Sequence, residues 1–342
     1  MDVSKKMQAA IFEGNGVMNI KQVDMPQISE VDDIILKVEA CSVCGTDVHM
    51  LNVPPTFPAN TGIALGHEIV ASVVEIGKQV TKFKTGDRVI IKPNIYCGKC
   101  DYCLKDMTNH CENMVSVGVH IQGGFSQYLK AKEKVCYKIS NYLSMEDAIF
   151  AEPLACVLGA LKKIRPMPGE SAVLIGAGPI ALMFLKILKA MSVYPVIVSE
   201  PKEDRRNKAK EQGADYVINP EKEDLEAFVK QILPNGADFV IDVVGSQMQS
   251  ACMLVRKRGK VLLFGVNMKA ESSILQHIIT LNEINILGTY VDDATFPLAV
   301  DILEKGIIDF KPLITHTLPL EKVTEGIELL RKGKGLEIII IP

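Results

Sequence analysis

The sequence has no excess of basic residues and no long, uninterrupted apolar run. Its formal net charge is −3 and its pI about 6.1, which gives no support to a nucleic-acid-binding surface. The most apolar stretch, from Ala172 to Leu185, is interrupted by Gly176, Gly178 and Pro179 and is too short to cross a bilayer. We therefore expect a small soluble substrate, with no nucleic acid and no membrane among the partners.

The amino-terminal residues also lack an apolar core of signal-peptide length, so we expect a cytoplasmic protein. Cysteines stay reduced in that compartment, and nine cysteines there indicate metal binding where they cluster, rather than disulfides. The length of 342 residues suggests two domains. A composition of 48% hydrophobic and 23% charged residues is typical of a globular protein.

The two halves of the chain differ in their hydrophobic pattern. Up to about residue 150, short β-rich runs are separated by turn residues. From residue 171 onward, apolar runs alternate with helix-length amphipathic segments. The runs predicted as strands there are 172–175, 196–198, 216–218, 239–244, 261–264 and 284–287, and the predicted helices are 179–190, 204–212 and 224–232. This alternation predicts an α/β fold with a parallel sheet covered on both faces. Near the end, a helix is predicted at 297–304 and a strand at 337–341.

Four cysteines follow the spacing C-x2-C-x2-C-x7-C at Cys97, Cys100, Cys103 and Cys111. Two residues between cysteines let neighbouring thiolates converge on one ion, and four thiolates close a tetrahedral zinc shell. A closed shell leaves no position for a substrate, so this spacing predicts a structural zinc. Four cysteines also suit an iron–sulfur cluster, but the remaining motifs favour zinc.

A second set of metal-ligand residues lies in Cys44-Gly-Thr-Asp-Val-His49 and Gly66-His67-Glu68. A catalytic zinc needs about three protein ligands and one open position. Cys44 and His67 supply a thiolate and an imidazole. A carboxylate completes the set, and two are candidates: Glu68, adjacent to His67, and Glu152, in Ala151-Glu-Pro-Leu.

Two neighbouring residues bear on this second set. Asp47 is suited to orient His67 by accepting a hydrogen bond from its other ring nitrogen. Cys41 is an alternative to Cys44 as the thiolate ligand, and spacing alone does not separate the two.

A glycine-rich segment follows the strand predicted at 172–175 and opens the helix predicted at 179–190. It has the form G-x-G-x-x-G/A, with Gly176, Gly178 and Ala181 at the three positions. The glycines permit a tight turn and a close approach of the backbone to a pyrophosphate, whose charge the helix N-terminus stabilises. The segment therefore predicts a dinucleotide site.

The second predicted strand of this half ends at Ser199-Glu200. A carboxylate there accepts hydrogen bonds from both ribose hydroxyls and repels a 2′-phosphate, which favours NAD over NADP. Arg205 and Arg206 follow this strand and leave NADP open as an alternative; otherwise one of them packs near the adenine, or both are solvated. The predicted cofactor-binding residues are Gly176, Gly178, Pro179, Ile180, Glu200 and Arg205.

Together, and in this order along the chain, these motifs resemble the zinc-containing medium-chain dehydrogenase/reductase family. The resemblance implies a discontinuous GroES-like catalytic domain, residues 1–155 and 292–342, with a structural zinc lobe at about 93–115. It also implies a Rossmann NAD-binding domain at 156–291, an active site in the cleft between the domains, and a tetramer or dimer.

The resemblance also implies roles for individual residues. It selects Cys44 over Cys41 as the zinc ligand and assigns Thr46 and His49 to a proton relay from the alcohol. Glu68 together with Glu152 is most similar to the polyol branch, which includes sorbitol and butanediol dehydrogenases, whose members differ over which carboxylate binds zinc. The implied activity is interconversion of a secondary alcohol, a polyol or vicinal diol, and a ketone with NAD.

Two alternatives stay open. The segment 288–293 lacks the arginine of sorbitol dehydrogenases, and 309–316 is closer to threonine dehydrogenases, so L-threonine 3-dehydrogenase is one. The other is a nucleotide-binding structural or regulatory protein without catalytic zinc. The joint presence of Cys44, Thr46, His49, His67 and Glu152 argues against this second alternative.

Overall fold

The computed structural model describes residues 5–342. The chain divides into two compact units. The first comprises the described residues up to Ala155 together with Asp293–Pro342, and the second is Cys156–Asp292. No helix in the described part of the chain is long and apolar enough to cross a membrane.

The first unit is rich in strands. Up to Ala155 it contains β1 (Lys6–Gly14), β2 (Val17–Asp24), β3 (Asp33–Ser42), α1 (Gly45–Met50), β4 (Ile63–Ala64), β5 (Glu68–Ile76), β6 (Arg88–Ile91), β7 (Asn94–Ile95), α2 (Asp101–Leu104), β8 (Val115–Ser116), β9 (Tyr128–Lys132), β10 (Cys136–Ile139) and α3 (Met145–Ala148). The helix α4 (Ala151–Ile164) begins in this unit and ends in the second.

The second unit alternates strands and helices. Its elements are β11 (Ala172–Ile175), α5 (Pro179–Ala190), β12 (Val196–Ser199), α6 (Glu203–Glu211), β13 (Tyr216–Ile218), α7 (Leu225–Ile232), β14 (Ala237–Asp242), α8 (Met248–Leu254), β15 (Val255–Leu263), α9 (Gln276–Asn282) and β16 (Asn285–Gly288). The chain then returns to the first unit as α10 (Phe296–Glu304), β17 (Ile314–Pro319), α11 (Val323–Arg331) and β18 (Glu337–Ile341).

The larger sheet of the first unit has the strand order β10-β6-β5-β3-β18-β17, with β9 also paired to β3. The last strand, β18, therefore lies inside this sheet, between β17 and β3, and pairs antiparallel with β3. Strands β2, β1 and β4 form a smaller sheet, and β7 pairs with β8. Buried apolar residues of β3, β5 and β18 contribute to one continuous core.

The sheet of the second unit has the order β13-β12-β11-β14-β15-β16, with every pair parallel. All four residues of β11 and of β12 are buried, as expected for central strands of a parallel sheet. The predicted α/β fold is confirmed. The order changes direction at β11, so the loop after β11 lies where parallel sheets bind nucleotides.

Several element ends differ from the sequence-based expectation. The strand predicted at 239–244 ends at Asp242, because the Asp242 carboxylate accepts the backbone N–H groups of Val244, Gly245 and Gln247 and turns the chain. The run predicted at 284–287 begins at Asn285, because the Ile284 N–H is bonded to a carbonyl of α9.

Candidate active site

The four cysteines predicted to bind zinc converge in the loop between β7 and β8. We call Cys97, Cys100, Cys103 and Cys111 the cysteine lobe. Their sulfur atoms all lie within 4.8 Å of one another, and none of them forms a disulfide. The lobe is locally built: Cys100 precedes α2, Cys103 lies within it, and the Cys97 N–H donates to Cys111 Sγ over 3.2 Å.

The sulfur separations in the cysteine lobe suit a tetrahedral ion. In a tetrahedron the ligand–ligand distance is about 1.6 times the bond length, so a Zn–S bond of about 2.3 Å requires sulfurs about 3.8 Å apart. The Cys97–Cys103 and Cys100–Cys111 sulfurs are 3.9 and 4.0 Å apart. The Lys99 N–H lowers the pKa of Cys97 to about 6, which favours the thiolate.

A second group forms where β3 and β5 meet α1. Ser42, the last residue of β3, is paired with Glu68, the first residue of β5. Cys44 follows two residues after Ser42, as the N-cap of α1, and His67 immediately precedes Glu68. One ligand atom from each of Cys44, His67 and Glu68 lies within 4.8 Å of the other two. We call these three residues the Cys44 site.

Gly66 lets His67 enter this site. Its φ of +87° is a conformation that L side chains rarely adopt. A Cβ at this position would lie 2.7 Å from Cys41 Sγ and 2.9 Å from the Phe125 ring. The buried Cys41 therefore packs against the glycine and stands outside the Cys44 site.

Asp47 lies beneath His67. Its Oδ2 accepts the Cys44 N–H over 2.9 Å, which closes the first turn of α1. Its Oδ1 is 3.9 Å from His67 Nδ1, and neither of these two buried atoms has a hydrogen-bond partner among the described residues. A small shift of the ring would let Nδ1–H donate to Asp47 and leave Nε2 as the ligand atom.

The electrostatics of the Cys44 site favour a divalent cation. Burial raises the pKa of the Cys44 thiol well above its usual range, and the carboxylates of Glu68 and Asp47 raise it further. Burial also raises the pKa of Asp47 to about 6, against the opposing effect of His67. Since negative groups accumulate in a buried place, a cation there would stabilise all of them in the charged form that binds metal.

Glu152, in the first turn of α4, is buried but is not part of the three-residue group. It lies close enough to raise the pKa of both Cys44 and His67 through its charge. Thr46 is adjacent to the group, with Oγ1 3.6 Å from Cys44 Sγ. His49 lies one turn further along α1, where its Nδ1 is 2.9 Å from Thr56 Oγ1.

The glycine loop of the second unit has the form that the motif requires. Gly176 has a φ of +108°, and Gly178 is the N-cap of α5, with Pro179 at the start of the helix. Gly178 has an ordinary φ, and a Cβ there would contact only Arg205, 4.0 Å away. Neither backbone conformation nor packing therefore requires glycine at 178. The absence of a side chain at this position leaves space for a phosphate beside the loop. Ile180 follows in the first turn of α5.

Glu200 is buried immediately after β12 and accepts hydrogen bonds that stabilise this loop. One of its carboxylate oxygens accepts the Ala177 N–H and the other the Lys202 N–H, both over 2.9 Å. Each oxygen keeps a lone pair for a further donor such as a ribose hydroxyl. Arg206 bonds the backbone carbonyls of Glu200 and Pro201. Arg205 keeps a buried Nε without a partner among the described residues.

Both halves of the chain match families of known proteins. Residues 30–141 match the alcohol dehydrogenase GroES-like domain, and residues 179–305 match the zinc-binding dehydrogenase domain. The chain is 33% identical to D-arabinitol dehydrogenase 1 of Uromyces fabae over 98% of its length and 97% of that protein. The chain belongs to the zinc-containing medium-chain dehydrogenase/reductase family. The predicted family and the predicted oxidoreductase class are confirmed.

Other relatives of this dehydrogenase act on different alcohols. Sorbitol dehydrogenase of Bacillus subtilis is 29% identical over 99% of this chain and 98% of its own. L-threonine 3-dehydrogenase of Caldanaerobacter subterraneus is 32% identical over 95% of each chain.

Solved structures share the fold over nearly the whole dehydrogenase. A zinc-binding dehydrogenase of Sinorhizobium meliloti, bound to NADP, is 28% identical with a TM-score of 0.92, covering 99% of this chain and 100% of its own. An alcohol dehydrogenase of Escherichia coli, complexed with NADH, is 27% identical with a TM-score of 0.91, covering 98% of this chain and 99% of its own.

Three residues at this site were not predicted from the sequence. Ser42 donates a hydrogen bond to Glu68 Oε2. Thr56 holds His49, and Glu337 is close enough for Glu68 to affect its pKa. Ser42 could have been noticed from its place two residues before Cys44. Glu337 is separated from Glu68 by most of the chain, and only the pairing of β18 with β3 reveals it.

Proposed function

We propose that this dehydrogenase oxidises a secondary alcohol of a polyol or vicinal diol to a ketone, with reduction of NAD, and that it holds one catalytic and one structural zinc. The convergence of Cys44, His67 and Glu68 within 4.8 Å carries the proposal. The polyol class is supported by the likeness to the arabinitol and sorbitol dehydrogenases.

Cys44 and His67 would hold the catalytic zinc, with Glu68 or Glu152 as the third ligand. The position of Glu68 in the three-residue group favours Glu68, and the charge of Glu152 nearby makes it the second candidate. A zinc ion bound there supplies Lewis-acid chemistry that lowers the pKa of an alcohol hydroxyl. The cysteine lobe would hold the structural zinc, since its four thiolates leave no open position.

Thr46 and His49 would carry the proton away from the alcohol. Burial lowers the pKa of His49, so its imidazole is neutral and can accept a proton. The Thr56 hydroxyl donates to the His49 carbonyl and accepts from Asn52, so it also accepts from Nδ1–H of His49. In that tautomer Nε2 of His49 is free to accept the proton.

The glycine loop would bind the pyrophosphate of the cofactor. The unpaired N–H groups at the start of α5 offer donors to phosphate oxygens, and the open space at Gly178 allows the approach. Glu200 would accept the ribose hydroxyls and disfavour a 2′-phosphate, which supports NAD as the cofactor. A lower kcat/KM with NAD than with NADP would contradict this assignment.

A substrate panel tests the proposal. Purified protein of known zinc content is assayed for NAD reduction with sorbitol, xylitol, D-arabinitol, 2,3-butanediol and L-threonine. Turnover with at least one of the first four and none with L-threonine is expected. No turnover with any of the five would contradict both substrate assignments.

L-threonine 3-dehydrogenase is the second candidate. The 32% identity to a threonine dehydrogenase and the resemblance of segment 309–316 favour it. Preference for L-threonine in the same panel would establish this candidate and exclude the polyol. A regulatory protein without catalytic zinc would bind one zinc per chain and reduce no NAD with any substrate.

Assembly into a dimer or tetramer and a cytoplasmic location complete the proposal. The family resemblance supports the oligomer. Cysteines that are free thiols placed to bind metal support the cytoplasmic location. Light scattering of the purified protein measures the oligomeric state.

A further inference from the structure

The backbone on either side of His67 is held by pairing with other segments. After it, Glu68 is the first residue of β5 and is paired with Ser42 of β3. Before it, the carbonyl of Gly66 accepts the backbone N–H of Gly124 over 2.8 Å. The His67 side chain is buried, and its Nδ1 has no hydrogen-bond partner among the described residues. Because no hydrogen bond holds Nδ1 there, the place of the imidazole depends on the backbone that carries it.

Residues 122–125, which we call the supporting segment, lie along residues 64–66. Backbone N–H groups of the supporting segment donate to the carbonyls of 64–66, and the Gln122 side-chain oxygen accepts the Ala64 N–H over 2.7 Å. The backbone pairs, at 2.8 to 3.0 Å, are Gly123 with Ala64, Gly124 with Gly66 and Phe125 with Leu65. The supporting segment therefore holds the stretch of chain that leads into His67.

Gly123 allows this close approach. A Cβ at this position would lie 2.3 Å from the Gly66 carbonyl oxygen, 2.5 Å from Gly118 Cα and 2.6 Å from the Leu65 carbonyl oxygen. All three are backbone atoms, which cannot move aside as the end of a flexible side chain can. The φ of Gly123 lies outside the left-handed region. Close contact, rather than backbone conformation, is therefore what requires glycine at this position.

The peptide bond transmits a displacement of Gly66 to His67. The carbonyl of Gly66 lies in one plane with the N and Cα of His67, because a peptide bond is planar. A real Cβ essentially never lies closer than 3.0 Å to such an atom, so in Gly123→Ala the distance to the Gly66 oxygen must increase from 2.3 Å to at least 3.0 Å. Metal–ligand distances tolerate only about 0.2 Å. A fraction of this displacement is therefore enough to move the imidazole out of ligand position.

We propose that Gly123 is a positioning residue for His67. Because it has no side chain, the supporting segment can hold the Gly66–His67 peptide where the imidazole meets Cys44 and Glu68. The inference rests on the proposed function, since it assumes that Cys44, His67 and Glu68 surround a zinc. It assigns the placement of one metal ligand to a residue that contacts no metal.

Gly123→Ala tests this proposal, and Gly288→Ala is the matched control. Gly288 also has a φ outside the left-handed region, and a Cβ there would meet no atom within 4 Å. In Gly123→Ala the zinc affinity of the Cys44 site should fall about tenfold or more, the scale on which partners of metal ligands act. In Gly288→Ala it should stay within about twofold of the wild type, as for a substitution without contacts. The cysteine lobe should keep its affinity in both variants.

Zinc affinity is measured on the full-length protein by chelator competition, and thermal unfolding reports whether each variant is folded. The visible absorption bands of the cobalt-substituted Cys44 site report ligand geometry without any turnover. These bands should shift in Gly123→Ala and stay unchanged in Gly288→Ala. A merely structural role of Gly123 would lower the melting temperature and leave both the affinity and the bands of the folded protein as in the wild type.

A milder pair of variants covers the case in which Gly123→Ala does not fold. Gln122→Leu removes the acceptor of the Ala64 N–H, whereas Gln122→Glu keeps an oxygen there. With residues 64–66 held less firmly, only a fraction of the molecules present His67 correctly, and the apparent zinc affinity falls by that fraction. We expect a loss of about fivefold in Gln122→Leu, the scale of one hydrogen bond, and no loss in Gln122→Glu.

Different outcomes overturn different claims. Wild-type affinity and unshifted cobalt bands in Gly123→Ala would overturn the inference, and so would equal losses in Gly123→Ala and Gly288→Ala. If Gly123→Ala does not fold, equal affinities in Gln122→Leu and Gln122→Glu would overturn it. A wild-type protein with one zinc per chain would overturn the proposed function itself. Two zincs in the wild type, together with an unaffected Gly123→Ala, would overturn only this inference.

Discussion

Two groups of side chains in the first unit can each surround a divalent ion, and they differ in how far apart their members lie in sequence. The cysteine lobe takes all four ligands from one short loop, Cys97 to Cys111. The Cys44 site joins the end of β3, the start of β5 and the first turn of α1. The lobe needs only its own loop, whereas the Cys44 site exists only when the sheet has formed.

The two groups also differ in charge balance. In the lobe, backbone N–H groups lower the pKa of Cys97 and Cys100, whereas burial raises the pKa of Cys103 to about 12. At the Cys44 site, burial and surrounding carboxylates raise the pKa of Cys44. Two thiols of the lobe therefore ionise more readily than usual, whereas the thiol of the Cys44 site ionises less readily until a cation binds beside it.

The largest expected effect comes from removing the thiolate of the Cys44 site. Cys44→Ser should lower kcat/KM at least about 10³-fold, because a Lewis acid contributes several kcal/mol to the reaction. It should also lose one zinc per chain while the melting temperature changes little. Steady-state kinetics and metal analysis measure both effects. Cys41→Ala is the matched control and should keep both zincs. A loss of zinc in the control alone would reverse the ligand assignment.

Removing a thiolate of the cysteine lobe should have the opposite consequence. Cys111→Ser should lose the other zinc and lower the free energy of unfolding by at least about 2 kcal/mol, because a structural metal contributes directly to folding. The activity per folded molecule should stay within a few-fold of the wild type. Urea unfolding, with kinetics on the folded fraction, checks this. A variant of unchanged stability would argue against a structural zinc.

Replacing the third ligand of the Cys44 site is expected to have a smaller effect than replacing Cys44. Glu68→Gln should weaken zinc at the Cys44 site more than Glu152→Gln does, by about tenfold or more, because Glu68 stands within the three-residue group. Neither substitution should alter the cysteine lobe. Chelator competition on both variants makes the comparison, and a larger loss in Glu152→Gln would assign the ligand to Glu152.

Asp47→Asn should affect the Cys44 site less severely. The asparagine oxygen can still accept the Cys44 N–H, but it lacks the charge that attracts the His67 ring. Zinc affinity there should fall about tenfold at most, as expected for a partner of a ligand. Isothermal titration with zinc measures the change. An unchanged affinity would mean that His67 is oriented by something other than Asp47.

Breaking the ion pair between Asp33 and Lys132, elsewhere in the first unit, should affect zinc binding at neither site. Burial acts to raise the pKa of Asp33, but Lys132 and the N–H groups of Glu30 and Ser29 outweigh it and hold the pKa below its usual range. Asp33→Asn should cost about 1 kcal/mol of unfolding free energy, since Lys132 keeps its other acidic partners. Both zincs should remain.

The pH dependence of this effect follows from the lowered pKa. The contribution of Asp33 is fully present above the unfolded-state pKa of about 3.9 and is lost as pH falls through the folded-state pKa. The stability difference between wild type and Asp33→Asn should therefore be constant near pH 7 and shrink below about pH 4. Urea unfolding at several pH values tests this, and a difference that grows on acidification would contradict the sign.

The contrast between the two groups also explains what the sequence could predict. Local patterns predicted α5 at Pro179–Ala190, β18 at Glu337–Ile341 and the cysteine lobe, because spacing within one segment carries the information. The first hairpin, β1 and β2, was not among the predicted elements. β2 is mostly exposed, so it lacks the apolar alternation that marks a strand.

The Cys44 site was predictable in its members but not in its arrangement. The motifs predicted Cys44, His67 and both candidate carboxylates, but they did not indicate whether Glu68 or Glu152 is the third ligand. In the structure Glu68 lies in the three-residue group and Glu152 does not, and the position of Glu68 depends on the register of β5 against β3. The register of β18 against β3 likewise places Glu337 on the same face of the sheet as Ser42. Such long-range pairing is a property of the folded sheet and leaves no mark in local sequence.

Metal analysis of wild type, Cys44→Ser and Cys111→Ser tests the central claim most directly. We expect two zincs per chain in the wild type and one in each variant, with NAD reduction abolished only in Cys44→Ser. One zinc in the wild type, or a Cys44→Ser protein that still reduces NAD at the wild-type rate, would contradict it.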